Sequence, residues 1–244
     1  MRTEIKKLLI NIIIYQINTK DKQDKLCILH DYFAYYYLIF KNIINRGKNM
    51  LEQTQKLKVI FTKTQNDTID SIIENIKKAG DNYKTIELWK FDQSLGGIGG
   101  YCQGCDPANF NAFQGSIYRN AYRCFQYVRT DIDILDLNYT ARDIIENCGH
   151  HFEESIKIYL RFYKKLEFLK VRKYPLGKLL NYISDKNIFE KNLSEELKLF
   201  VDLYNISKHE ILSNDEIDRT FHLDDAIICY FASRIVGKKI LMLI

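Results

Sequence analysis

The chain has 244 residues, 46% of them hydrophobic, with two prolines and 11 glycines. That length suits one large domain or two small ones, and a mean hydropathy of −0.27 with 27% charged residues excludes a chain embedded in a membrane. The net charge of +5 is local: residues 1–49 hold nine Lys/Arg and four acids, leaving 27 of each over residues 50–244. Bulk charge therefore does not mark a nucleic-acid binder, although a local basic patch stays open.

The leader, residues 1–49, has two apolar runs, Leu8–Ile14 (broken by Asn11) and Phe33–Phe40. Both fall far short of the ~20 residues a spanning helix needs, so no membrane partner is expected. Lys6 and Lys7 ahead of an apolar stretch imitate a signal peptide, but Glu4 sits in the basic region and no small-x-small cleavage site follows. A cytoplasmic protein with six free cysteines is the expectation. The leader is rich in residues specified by AT-rich codons and ends Arg46-Gly47-Lys48-Asn49-Met50. Purine-rich codons at Arg46-Gly47 would read as a ribosome-binding site, which suggests translation from Met50; the alternative is an N-terminal helix or arm.

Residues 50–105 read as a small mixed α/β or irregular segment. Leu57–Phe61 and Thr85–Phe91 are short and rich in β-branched and aromatic residues, the pattern of strands. Between them Ile69, Ile72, Ile73 and Ile76 recur at helical spacing, with a cap expected at Asn66–Thr68 and an end at Gly80. A glycine cluster, Gly96 to Gly104, closes the segment and carries Cys102-x-x-Cys105. It lacks Gly-x-x-x-x-Gly-Lys, and the third glycine of a dinucleotide fingerprint is missing, so it is no phosphate loop.

Residues 106–244 predict an antiparallel helical bundle, making the fold class mainly α. Phe113, Ile117, Ala121, Phe125 and Val128 form the first stripe, and Thr130–Asp133 reads as a turn. The next helix runs from Tyr139 to Tyr163, with Ala141, Ile145, Cys148, Phe152, Ile156, Tyr159 and Tyr163 on a heptad-like seam. Pro175 suits the first turn of a helix over PLGKLLNYI. Ser194 can cap a helix holding Leu197, Phe200, Val201 and Tyr204, and the last helix starts near His222–Asp225 and should end at Gly237.

Chemistry centres on His209. Asn205 and His209 lie at i and i+4, on one helical face. The imidazole titrates near neutrality and can take a proton from a ribose 2′-hydroxyl or give one to a leaving oxygen. Asn205 can orient the ring or bind a phosphate oxygen, and Lys208 can offset negative charge; a histidine in a last helical turn also serves the helix dipole with no chemistry at all. Cys102, Cys105, Cys148 and His151 make a candidate zinc set, although Cys148 also fits the apolar seam, so no metal or other cofactor is assigned. His150 with Glu153 or Glu154 has dyad spacing, which surface ion pairs share. The pairs Lys238-Lys239 and Asp215-Glu216 read as solvated surface.

His151-Phe152-Glu153-Glu154-Ser155-Ile156-Lys157-Ile158-Tyr159-Leu160, the Pro175–Ile183 helix and the Tyr204–His209 segment follow one another in the order found in the HEPN superfamily of helical domains, which the C-terminal part of this chain resembles. The resemblance implies a homodimer and a metal-independent ribonuclease of toxin–antitoxin or phage-defence type, with RNA or an antitoxin-type protein as partner. Its signature is an Arg, a polar residue and a His about one turn downstream; Asn205 and His209 match, whereas Tyr204 stands where the Arg is expected. That Arg would stabilise charge on the cleaved phosphate; Lys208, Arg219 or Arg234 could substitute, without the bidentate fork in the case of Lys. The departure keeps a second expectation alive, a non-catalytic helical module binding a partner protein or a nucleotide, and the cysteines a third, a zinc-stabilised structural protein.

Overall fold

A computed structural model describes residues 54–96, 118–134, 137–209 and 221–243, within the compact unit Met50–Ile244. These residues are mainly helical, as expected, and the described residues contain no strand. Both predicted strands are corrections. Leu57–Ile60 is a 3₁₀ turn that buries Leu57 and Ile60, and Ile86–Ser94 is a helix, α2. In α2 the buried residues Leu88, Trp89 and Asp92 share a helical face, and the Trp89 indole donates to Asp133 Oδ1 at 2.9 Å. Tertiary anchoring of this kind overrides β-branched and aromatic propensity.

The helix α1, Lys63–Ala79, buries the expected four isoleucines. Its cap lies earlier than the sequence suggests: the Thr62 hydroxyl accepts from Gln65 N, and the Gln65 side chain accepts from Thr62 N, a reciprocal capping box. Gly80 ends it with φ of +52°, a value that suits glycine.

Helix α3, Arg119–Ile134, runs straight through the supposed turn at Thr130–Asp133. Ile132 is fully buried there, and Asp133 accepts from both Thr85 and Trp89, which ties α3 to the start of α2. Of the predicted stripe, Ala121, Phe125 and Val128 are buried, while Phe113 and Ile117 lie outside the described residues.

Helix α4, Leu137–Tyr163, and helix α8, Leu223–Leu241, form the centre of the bundle. The α4 helix packs most extensively on α3 and α8, and also touches α5 (Lys165–Val171), α6 (Leu176–Asp185) and α7 (Lys191–His209). Its seam is buried from Ala141 to Ile156, whereas Tyr159 is half-buried and Tyr163 is exposed, so the seam stops a turn sooner than its pattern predicts. Pro175 caps α6 from outside, with φ of −68°, and Ser194 lies inside α7 rather than at its start.

Helix α8 is buried on almost every side, as an apolar helix in the middle of a bundle must be. Gly237 does not end it. A Cβ there would stand 2.0 Å from His151 Nε2, so glycine permits the close approach of α8 to α4. Asp225 in its first turn accepts from His222 N at 2.8 Å and from the Thr54 hydroxyl. The lysines expected to be merely solvated have partners: Lys238 donates to the Leu95 carbonyl at 2.9 Å, and Lys239 pairs with Glu196 of α7 at 2.6 Å.

Candidate functional site

The end of α7 is built around Tyr204, a core residue. Its ring lies against α4 at Gly149, where a Cβ would stand 2.2 Å from a ring carbon, and it stacks on Phe200 at 6.5 Å. Burial pushes the phenol up from its ordinary value, against the opposing hydrogen bond from Lys208. Lys208 folds back over the same ring, with Nζ 4.7 Å from the centroid, a cation–π contact.

Asn205 points elsewhere. Its amide oxygen is 3.8 Å from where a Cβ on Gly177 would stand, so Asn205 looks toward α6. Asn205 and Lys208, neighbours one turn apart, therefore diverge, the first toward α6 and the second onto the Tyr204 ring. His209 is the last residue of α7, and its side chain lies outside the described residues.

An arginine that the sequence does not advertise reaches this end. Arg142 of α4 donates from Nη2 to the Ser207 carbonyl and places Nε 3.4 Å from Glu146 Oε1. The Ser207 hydroxyl is buried and donates to the Tyr204 carbonyl at 2.7 Å. A guanidinium at a helix C-terminus satisfies a carbonyl left without an intrahelical partner and complements the dipole. This contact brings a guanidinium, paired with Glu146, to the backbone two residues before His209. Arg142 is separated from Ser207 by 65 positions, so only the packing of α4 on α7 brings it there. Of the other expected substitutes, Arg219 lies outside the described residues, and Arg234 belongs to a different cluster.

That cluster is a buried polar network between α2, α3 and α8. Arg234 Nε donates to Asp92 Oδ1 at 2.7 Å, and the Tyr230 hydroxyl donates to the same oxygen at 2.9 Å. Arg129 Nε donates to the Tyr230 oxygen at 3.1 Å, and its Nη2 lies 3.6 Å from Asp92 Oδ2. Arg234 Nη2 also donates to the Gly96 carbonyl. All four side chains are buried, so each ion must be matched within the protein. The network joins three helices and closes the described part of the glycine-rich segment against α8.

His151 sits beside it, fully enclosed. Its Nδ1 lies 2.8 Å from the Ala121 carbonyl, which can only accept, so Nδ1 carries the proton. The ring stacks on Phe125 at 3.9 Å, and Nε2 faces Gly237 with no hydrogen-bond partner. Burial pulls its pKa down to about 3, an effect that the Ala121 bond opposes and that Arg234 and Arg129 reinforce. His151 is therefore neutral.

The described half of the zinc set is engaged otherwise. Cys148 is buried, and burial pushes its thiol up to about 12, whereas a zinc ligand must give up that proton. His151 Nε2 is pressed against α8. Cys102 and Cys105 lie outside the described residues, and among the described residues no three His, Cys, Asp or Glu side chains are grouped to hold a metal. Nor do Glu153 and Glu154 stand as partners of His150. Both acids face Lys157, at 2.6 and 3.8 Å. Asp215 and Glu216 lie outside the described residues.

No helix among the described residues is long and apolar enough to cross a membrane. No protein-family model, curated protein or solved structure matches the chain.

Proposed function

We propose that the protein is a HEPN-like, metal-independent endoribonuclease acting in the cytoplasm, with its reaction centre at the end of α7. His209 takes the proton of a ribose 2′-hydroxyl, the 2′-oxygen attacks the adjacent phosphorus, and the 5′-oxygen leaves as a protonated alcohol. The products are a 2′,3′-cyclic phosphate and a 5′-hydroxyl end. Asn205 orients the imidazole or a phosphate oxygen. The observation that supports this reading is Arg142: its guanidinium, beside Glu146, reaches the Ser207 carbonyl and would supply the charge that Tyr204 cannot. A homodimer that pairs two such helix ends would furnish a second imidazole as the acid. In a toxin–antitoxin or phage-defence setting, an antitoxin-type protein would cover the same end.

The test is cleavage of single-stranded RNA by purified protein in chelator. His209→Ala should abolish cleavage, and Arg142→Ala should slow it about 100-fold, the range for loss of one oxyanion-stabilising donor. Undiminished cleavage by the His209 variant refutes the site.

One observation favours a second reading, a non-catalytic module. Tyr204 fills the motif-Arg position as a core residue, and Lys208 is folded onto it instead of facing a ligand. This reading expects no cleavage by the wild-type chain and a stable complex with a partner protein or nucleotide, measured by analytical ultracentrifugation or calorimetry.

A further inference from the structure

The end of α4, the short helix α5 and the turn after it carry an unusual surface. Four large apolar side chains are exposed there: Phe162, Tyr163, Leu166 and Leu169, with Leu166 at 74% and Leu169 at 54% exposure. Interleaved with them are six exposed cations, Arg161, Lys164, Lys165, Lys170, Arg172 and Lys173. The one acid in this stretch, Glu167, pairs with Lys170 at 3.2 Å. Residues 161–173 thus carry +5, leaving 21 Lys/Arg and 26 acids over the rest of residues 50–244. Residues 50–244 carry no net charge, yet +5 falls on these thirteen residues together with four of the nine exposed large hydrophobic side chains among the described residues.

The arrangement is held in place. Val171 is buried and Phe168 packs against the core, so α5 is anchored by one face and turns Leu166 and Leu169 outward. Arg161 lies over the Phe168 ring at 5.8 Å. The α5 helix packs chiefly on α4, which leaves it as a ridge at the margin of the bundle.

We infer that this ridge docks on an anionic lipid bilayer, its four apolar side chains entering the boundary between headgroups and acyl chains while the lysines and arginines lie among the lipid phosphates. Exposed apolar side chains flanked by cations give a segment both the apolar area that enters the interface and the charge that anionic headgroups attract. A polyanion such as RNA would use the cations and could stack on Phe162 and Tyr163, but the most exposed apolar residues, Leu166 and Leu169, neither stack on bases nor bond to them. A second copy related by a two-fold axis would set the same six cations against themselves. Such contact needs no spanning helix. It is independent of the ribonuclease reading, since none of its residues belongs to the end of α7.

The experiment is co-sedimentation of the full chain with vesicles of phosphatidylcholine alone, or with about one-third phosphatidylglycerol, an anionic surface that attracts basic segments. The expected result is binding to the anionic vesicles alone, lost between about 0.1 and 1 M salt as the Debye length shrinks. Leu166→Ser with Leu169→Ser keeps the charge and should weaken binding at least about tenfold through lost apolar burial. Lys164→Glu with Lys165→Glu should abolish it by charge, and serves as the second variant if the first loses helical signal by circular dichroism. Absence of vesicle binding overturns the proposal, as does equal binding to both vesicle types or undiminished binding by the folded serine variant. Binding of single-stranded RNA without vesicles would assign the ridge to nucleic acid, and dimerisation abolished by the serine pair would assign it to a second copy; either overturns the lipid assignment.

Discussion

Lowering the pH from 7.5 to 5 is expected to weaken the fold through a single buried imidazole. His151 is 1% exposed, its Nδ1 proton is committed to the Ala121 carbonyl, and a second proton at Nε2 would face the α8 backbone at Gly237 with no acceptor. Its pKa is about 3 in the folded chain against an ordinary value of 6.5. Between those values the unfolded chain binds a proton that the folded chain refuses, so stability is full above 6.5 and falls as the pH drops toward 3. At 1.36 kcal/mol per pKa unit, the loss from pH 7.5 to 5 is about 2 kcal/mol. Asp225, whose carboxyl burial pushes up, contributes with the opposite sign, so the wild-type slope alone does not isolate the histidine. The comparison is urea unfolding across this range for wild type and His151→Asn, which keeps a donor near the Nδ1 position and does not titrate. The variant starts less stable because it leaves a cavity beside Phe125, and the gap should narrow by about 2 kcal/mol at pH 5. A constant gap would mean that protonation of the folded state is tolerated, and would refute the enclosed, neutral histidine.

Further outcomes follow from the same contacts. Gly237→Ala should destabilise by about 1–3 kcal/mol, as overpacking does, and combining it with His151→Asn should cost less than the sum because the smaller side chain removes the clash; denaturant midpoints measure both. Asp92→Ala should destabilise by about 3–5 kcal/mol, since it strips the carboxylate from two buried arginines, whereas Lys77→Ala, which removes an exposed pair with Asp224, should change stability by less than about 1 kcal/mol. The Cys148 and Cys229 thiols, both buried and both pushed upward, should resist a thiol-specific reagent at pH 8 until the chain unfolds, as read from the kinetics of colour release. Rapid labelling of either residue in the folded chain would contradict their enclosure.

Much of the helical layout is visible in local pattern. The isoleucine stripe of α1, the seam of α4 from Ala141 to Ile156 and the leucine face of α6 are all buried as their spacing predicts. Pattern fails where a contact distant in sequence decides the outcome. Thr85–Phe91 has strand-forming residues, yet Trp89 is held by Asp133 and Asp92 by Arg234, so the segment coils into a helix. The candidate site was legible only in outline. The Asn205–His209 spacing stands in the sequence, but nothing local tells that Lys208 lies on the Tyr204 ring, or that Arg142 ends at Ser207.

What the sequence determined by itself is the class of fold and the division of charge. A 3.6-residue apolar period with few prolines commits a chain to amphipathic helices whatever their partners, and the excess cations of the leader can be counted without coordinates. The meaning of individual residues emerges only once the helices pack. Gly237 reads as a helix stop and proves to be a seat for His151; Tyr163 reads as seam and proves to be exposed beside a basic ridge. The reason is that periodicity is a property of neighbours one turn apart, whereas a side chain's burial, charge state and partner depend on helices that arrive from up to 171 residues away, as Thr54 and Asp225 do.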